Sequence, residues 1–255
     1  MISNFYYRKL KEVFFHRIAR RFKLIPLKKF DSQKLIFTKN CKMKLFGMED
    51  VISDNIAFLS YYEWELSDII KKLSSNSSIM VDAGANMGYF SLIFLSNSPK
   101  GKLFAFEPNP SVSILLDNNI AQNNFNDRAI IFKQALSATS GNIPFNFGSS
   151  DKQSGWGHVD NNSHSYVEAT TLDINFSNCE IIDILKIDVE GFEFEVLKGA
   201  YKLLSDKRIR NIFFEINDGM LQTNGISSET VIEYLNKFGY TVEKVTNEIM
   251  WAKAN

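Results

Sequence analysis

From Ile79 onward, short apolar runs alternate with stretches of helical spacing, and the alternation predicts the architecture. Strands are expected at 79–83, 102–106, 129–135, 181–187 and 211–216, and helices at 88–97, 110–123, 192–204 and 228–238. A hairpin of 240–245 with 248–252 closes the chain, and the polar, aperiodic stretch 137–165 is expected to be irregular. Repeated strand–helix units favour a parallel sheet covered on both faces, because each parallel connection needs a crossover long enough to hold a helix. Ile181-Ile-Asp-Ile-Leu-Lys-Ile-Asp188 is almost continuously apolar, as suits a strand buried on both sides.

Before Ile79 the pattern differs. Tyr6, Leu10, Val13, Phe14, Ile18 and Phe22 recur at roughly helical spacing with basic residues between them, which predicts an amphipathic basic helix. Leu35–Thr38 and Met43–Phe46 flank a polar turn and read as a short hairpin, followed by a helix from Trp64 to Leu73. The run Ser74-Ser-Asn-Ser-Ser78 then punctuates the chain. The expected organisation is an N-terminal helical and hairpin extension over 1–75 and a main domain over 76–255.

Composition narrows the class. With 45% hydrophobic and 23% charged residues, the 255-residue chain is neither disordered, collagenous nor coiled coil. Basic and acidic residues balance at 29 each, so overall charge gives no nucleic-acid footprint. The balance conceals an asymmetry: residues 1–29 hold nine basic side chains against the single acid Glu12. That helix reads either as packed on the domain with a solvated face or as a contact for an acidic membrane surface or a partner protein. Cys41 and Cys179 are isolated, so no disulfide framework or zinc site is indicated and a cytoplasmic setting is expected, with the inner face of the membrane as a variant of it. The apolar run Val13-Phe14-Phe15 ends at His16-Arg17, too short for a secretory signal.

Candidate chemistry begins where the first strand turns into the first helix. In Val81-Asp-Ala-Gly-Ala-Asn-Met-Gly88, Gly84 and Gly88 allow close approach of a ligand to backbone N–H groups at a helix start. A dinucleotide-binding G-x-G-x-x-G would have glycine where Asn86 stands, which argues against an NAD-dependent oxidoreductase. Asp82 is expected to pair with a positive amine, as in S-adenosylmethionine. Glu107, 23 residues after Gly84 and at the end of the second strand, is placed to accept the hydroxyls of a ribose. Either acid could instead cap the following helix. Gln134 and Ala135, after the third strand, are placed to flank an adenine ring.

Three segments now stand in order: Val81–Phe90, Ala105-Phe-Glu-Pro-Asn-Pro110, and Leu185-Lys-Ile-Asp-Val-Glu-Gly191 with Glu195–Ala200. Together, over about residues 60–216, they resemble the FkbM family of S-adenosylmethionine-dependent methyltransferases. The resemblance implies an α/β, Rossmann-like class I methyltransferase fold with six parallel strands and one antiparallel edge strand. It also implies O-methylation, frequently of a sugar hydroxyl, and hence a carbohydrate or glycoconjugate acceptor such as a surface glycan or its precursor.

Lys186 and Asp188 share a strand face by the period of two, so the lysine is expected to pair with Asp188 or Glu190. Ligands of open α/β sheets bind beyond the carboxyl ends of the strands, which makes Asp188 the first candidate base and Glu190 the second. His158, in Gly155-Trp-Gly-His158, is a third, although a lone loop histidine is usually just solvated. Beside it, Trp156 is placed either to stack on a sugar face or to anchor its loop. Asp188, Glu215 and Asn217 could together offer oxygen ligands to Mg²⁺, or merely bind substrate and cap a loop. A flipped-base methyltransferase would need a D/N-P-P-aromatic segment, and Asn109-Pro110 is followed by Ser111. Competing readings are a catalytically silent cofactor-binding scaffold in glycan assembly and an O-methyltransferase of a small natural product.

Overall fold

A computed structural model describes residues 2–15, 18, 28–76, 78–148, 153–179 and 181–255. The N-terminal extension comprises α1 (Ile2–Phe14), α2 (Lys28–Asp31), β1 (Gln33–Lys34), β2 (Lys42–Met43), α3 (Val51–Leu59) and α4 (Trp64–Leu73). Then follow β3 (Ile79–Ala83), α5 (Tyr89–Asn97), β4 (Lys102–Phe106), α6 (Pro110–Gln122), β5 (Ala129–Phe132), β6 (Ala135–Leu136), β7 (Gly141–Asn146), β8 (His158–Val159), β9 (Tyr166–Thr170) and α7 (Leu172–Asn175). The last part holds β10 (Ile182–Ile187), α8 (Glu193–Lys198), α9 (Tyr201–Ser205), β11 (Ile209–Glu215), α10 (Asp218–Thr223), α11 (Ser228–Lys237), β12 (Tyr240–Lys244) and β13 (Ile249–Ala254). Most of the basic helix expected to run on to Phe22 lies outside the described residues beyond Phe15.

Seven strands form the central sheet in the order β12-β13-β11-β10-β3-β4-β5, a mostly parallel Rossmann-like arrangement. β13 pairs antiparallel with both β11 and β12. The reversed strand therefore lies one place in from the edge rather than at it, because the short turn after β12 folds β13 back between β12 and β11. Alternate residues along each strand feed two apolar cores. Met80, Leu103, Ile184 and Phe213 join α4, α5 and α6 on one face, whereas Val81, Phe106, Leu185 and Phe214 join α8, α9 and α11 on the other. The first core continues through Phe30, Phe37, Met43 and Ile56, so the extension and the main sheet share one apolar interior.

Four stretches differ from the expectation. The strand predicted over 129–135 splits, with β5 staying in the main sheet and β6 leaving it to pair with β9. β9 also pairs with β7, and β7 with β8, so the segment expected to be irregular carries a small four-stranded sheet. Among the described residues its buried core is Ala135, Phe145, Val167 and Ala169, with Ile143, Phe147 and Val159 partly buried against them, a small cluster spread over short strands that imposes no long apolar period on the sequence. The helix expected over 192–204 breaks after Lys198, where Gly199 packs against the Ser137 carbonyl and leaves no room for a Cβ. The early hairpin forms as β1–β2, shifted so that Gln33 opposes Met43.

Candidate active site

The carboxyl ends of β3, β4, β10 and β11 open onto one cavity of about 840 Å³ including its mouth. Gly84, Asn86, Glu107, Gln134 and Ala135 line one side; Asp188, Glu190 and Glu215 line the other. Ile52 and Tyr62 enter from the N-terminal extension, and Ser154, Gly155, Gly157 and Val159 from the inserted sheet.

The first side is built by a loop with little freedom. Gly84 adopts φ 71° against the Asp188 carbonyl, a contact that excludes any side chain. The Gly84 and Ala85 N–H groups both donate to the Phe106 carbonyl at 3.0 Å, tying β3 to β4 where the sheet ends. The Asn86 N–H then donates to Glu107 Oε2 and the Asn109 N–H to Glu107 Oε1, each at 2.9 Å. Two backbone amides thus fix the plane of this carboxylate while its remaining lone pairs stay open to hydroxyl donors. Burial pushes the Glu107 carboxyl up to about 7, against the pull of those amides. Phe106 stacks on Phe132 with ring centres 4.5 Å apart, giving the wall between Glu107 and Gln134 a rigid apolar backing.

Asp82 does not line the cavity. It is fully buried, its Oδ2 accepting from the Ser91 hydroxyl at 2.7 Å and its Oδ1 lying 3.5 Å from the Lys186 ammonium. The expectation that it meets a ligand's amine is thereby corrected: Asp82 seats Lys186. The reason is parity. Asp82 shares its strand face with Met80, beneath α5, and lies beside Lys186 in the β3–β10 register. Gly88 is likewise placed otherwise than expected, since at φ 91° it starts α5 tightly against Leu116, outside the cavity lining.

Lys186 connects this buried layer to the cavity. Its ammonium donates to the Gly84 carbonyl at 3.0 Å and pairs with Asp188 Oδ2 at 3.1 Å. Burial opposes its charge, but Asp188, Asp82 and Glu63 together hold its proton more firmly than usual. Around Asp188 stand three further carboxyls. Burial first, then the Asp188 charge and a hydrogen bond with it, push Glu215 up to about 9. Burial and Asp188 also push Glu63 and Glu190 up to about 7 each. At neutral pH the cluster therefore keeps a proton on Glu215, next to Asp188, with Lys186 as its buried cation.

The residues considered for Mg²⁺ have other engagements. Asn217 caps α10 by accepting from the Met220 N–H at 3.2 Å, and Asp188 faces Lys186. Among the described residues no group of three His, Cys, Asp or Glu side chains converges as a metal site. His158, the third candidate base, is not among the residues that line the cavity. Its neighbours Gly157 and Val159 line the cavity, so strand alternation turns His158 away, and its Nδ1 lies 3.0 Å from the Trp156 carbonyl. Trp156 also stays outside the lining and is half exposed.

Sequence reasoning missed the contribution of the extension. Tyr62 lines the cavity, and its hydroxyl proton is held firmly by burial and by the Glu63, Asp188 and Glu215 charges. It also missed how the cover is held. Asp50 Oδ1 accepts from the Ser154 N–H at 2.8 Å and from its hydroxyl at 3.0 Å, while Oδ2 caps α3 through the Ser53 N–H at 2.8 Å. An acid immediately before the apolar helix α3 is the one local signal, and it marks a cap without naming Ser154.

Comparison with known proteins finds methyltransferases. The chain is 31% identical over 164 residues to methyltransferase sdnD of Sordaria araneosa, covering 51% of this chain and 63% of that protein. It is 27% identical over 189 residues to 2-O-methyltransferase NoeI of Sinorhizobium fredii, covering 67% and 76%. It is 30% identical over 162 residues to hexuronic acid methyltransferase AglP of Haloferax volcanii, covering 60% and 63%. The match thus spans less than two thirds of the length of two of these three relatives. Among solved structures, an rRNA methylase from Streptococcus thermophilus aligns with a TM-score of 0.45 at 12% identity, over 73% of this chain and 92% of that one. Residues 82–242 match the methyltransferase FkbM domain, and the chain belongs to that family.

Proposed function

We propose that this protein is an S-adenosylmethionine-dependent O-methyltransferase whose acceptor is a sugar hydroxyl of a glycan or glycan precursor. One observation carries the reading: a single cavity joins Glu107, held by two amides for hydroxyl recognition, to the Asp188–Lys186–Glu215 cluster. Bound S-adenosylmethionine supplies an electrophilic methyl group on a sulfonium. In this reading Glu107 accepts the ribose hydroxyls, Gln134 and Ala135 flank the adenine, and Gly84 and Asn86 bring backbone close to the ligand. Asp188 takes the proton from the acceptor hydroxyl as the oxygen gains its methyl group, and Lys186 keeps that carboxylate oriented. Glu190 is the second candidate for the base. Orientation is worth roughly 7–11 kcal/mol of barrier and a placed base about 10²–10⁴-fold in rate. The sugar acceptor is supported by the names of two relatives, a 2-O-methyltransferase and a hexuronic acid methyltransferase.

Isothermal titration with S-adenosylmethionine and radiolabelled methyl transfer to carbohydrate acceptors test the proposal together. Glu107→Gln should weaken binding by about tenfold or more, the usual worth of a charge-assisted hydrogen bond. Asp188→Asn should leave binding within a few-fold and cut turnover by about 10²–10⁴. A wild-type protein that binds without transferring methyl groups to any acceptor would be a scaffold; undiminished turnover in Asp188→Asn would pass the base role to Glu190.

A further inference from the structure

The carboxyls around Asp188 outnumber the cations beside them. Asp188, Glu190 and Glu215 line the main cavity. A smaller space behind it shares Asp188 and Glu215 and adds Glu63 and Lys186. Among the described residues lining either space Lys186 is the one cation, and its charge is divided between Asp82 at 3.5 Å and Asp188 at 3.1 Å. Glu63, Glu190 and Glu215 are left to face one another. Three more groups bear on the cluster from the elements packed against it: Tyr62, which keeps its proton, Glu193 near Glu190, and Glu248 near Glu63. None of them adds positive charge. So many half-buried carboxyls cannot all ionise together, and the free protein neutralises the excess with protons, the firmest of them on Glu215.

We infer, on the reading of the cavity proposed above, that these carboxyls are the counter-charge of the donor's sulfonium: binding S-adenosylmethionine expels a proton from the Asp188–Glu215 pair, and methyl transfer returns one to it. In-line transfer sets the sulfur, the methyl carbon and the acceptor oxygen on one line that ends at Asp188, so the sulfonium stands within a few bond lengths of the cluster. A positive charge there favours the ionised form of each carboxyl, and Glu215, protonated beside Asp188 in the free protein, has a proton to give up. During transfer the acceptor O–H breaks, its proton passes to Asp188, and the oxygen's electron pair forms the bond to carbon. The S–C pair stays on sulfur, which becomes a neutral thioether. One positive charge leaves the sulfur as one proton joins the carboxyls, so the net charge of the site is constant through the step. The cluster ends the reaction with the proton count it had in the free protein. S-adenosylhomocysteine lacks the sulfonium and gains nothing from an extra ionised carboxyl, so the same acids favour donor over product.

Isothermal titration of the full chain in buffers of differing ionisation enthalpy counts the protons released on binding. It is done at about pH 7, where the amine of either ligand is mostly protonated. Protons lost from Glu107, whose ribose partners both ligands carry, cancel between them. The wild-type chain should release about one proton more with S-adenosylmethionine than with S-adenosylhomocysteine. Glu215→Gln should remove about half or more of that difference and weaken S-adenosylmethionine binding about threefold or more, with S-adenosylhomocysteine affinity held within about twofold. Glu233→Gln, exposed on α11, should change neither quantity. Equal proton counts for the two ligands in the wild type would overturn the inference and leave the cavity reading standing, whereas a wild-type chain that binds neither ligand would overturn both. A difference undiminished in Glu215→Gln would also overturn it, and the wild-type comparison decides the matter if that variant does not fold.

Discussion

Lys186 is the residue on which the site turns, because a buried ammonium must be fully partnered or it unfolds its surroundings. Asp82 is its one partner with no access to solvent, locked by Ser91, while Asp188 is shared with the cavity. Replacing Asp82 therefore separates two roles for that acid. If Asp82 holds Lys186, Asp82→Asn should cost about 3 kcal/mol of folding stability by denaturant titration and slow turnover more than tenfold, while S-adenosylmethionine affinity changes by less than that. If Asp82 instead gripped a ligand's amine, the affinity would collapse at unchanged stability. The same residue shows what a single sequence can give. Its presence at the end of the first strand was legible; its direction was a matter of parity with Met80 and of register with Lys186, and register is a property of two strands rather than one.

Among elements, α3 and the inserted sheet are joined by one carboxylate, since Asp50 caps the helix with one oxygen and holds Ser154 with the other. Ser154 and Gly155 line the cavity beside Ile52, so the clamp sets the height of its cover. Asp50→Ala should lower stability by about 2 kcal/mol, the combined scale of a lost cap and unsatisfied buried donors. It should also raise KM for the acceptor about tenfold while kcat stays within about threefold, because the clamp positions the cover and touches no reacting group; steady-state kinetics over acceptor concentration separate the two. A fall in kcat at constant KM would deny the clamp that role. This is also where sequence reading ran short. The strands β3, β4, β10 and β11 announce themselves as mainly apolar segments alternating with helices, and with them come the places of Gly84, Asn86, Glu107, Gln134, Ala135, Asp188 and Glu190 around one cavity. The strands around 135–170 have no comparable run, and without β8 the placing of His158 outside the cavity lining is not legible in the sequence. Tyr62 and Glu63 reach the site only because α4 docks on β10, a contact with no local signature.

At the scale of the whole molecule, the chain carries no net charge at pH 7, so global self-repulsion contributes little and its pH response is left to buried groups. Those groups are acids raised by burial: Glu63, Glu107, Glu190 and Glu193 to about 7 and Glu215 to about 9, from an ordinary value of 4.5. The unfolded chain gives up these protons near 4.5, whereas the folded protein retains them to about 7 or 9, so the native state binds more protons throughout that window. Stability must then fall as pH rises. The contribution of the first four is complete below about 4.5 and lost through about 7, and that of Glu215 is lost only through about 9. Melting temperatures measured from pH 5 to 9 at constant ionic strength should decline across the range, and Glu215→Gln, which cannot ionise, should flatten the part above pH 7 while leaving the slope below it. A melting temperature that climbed toward pH 9 would mean that these carboxyls are paired or hydrated in solution rather than buried around Asp188.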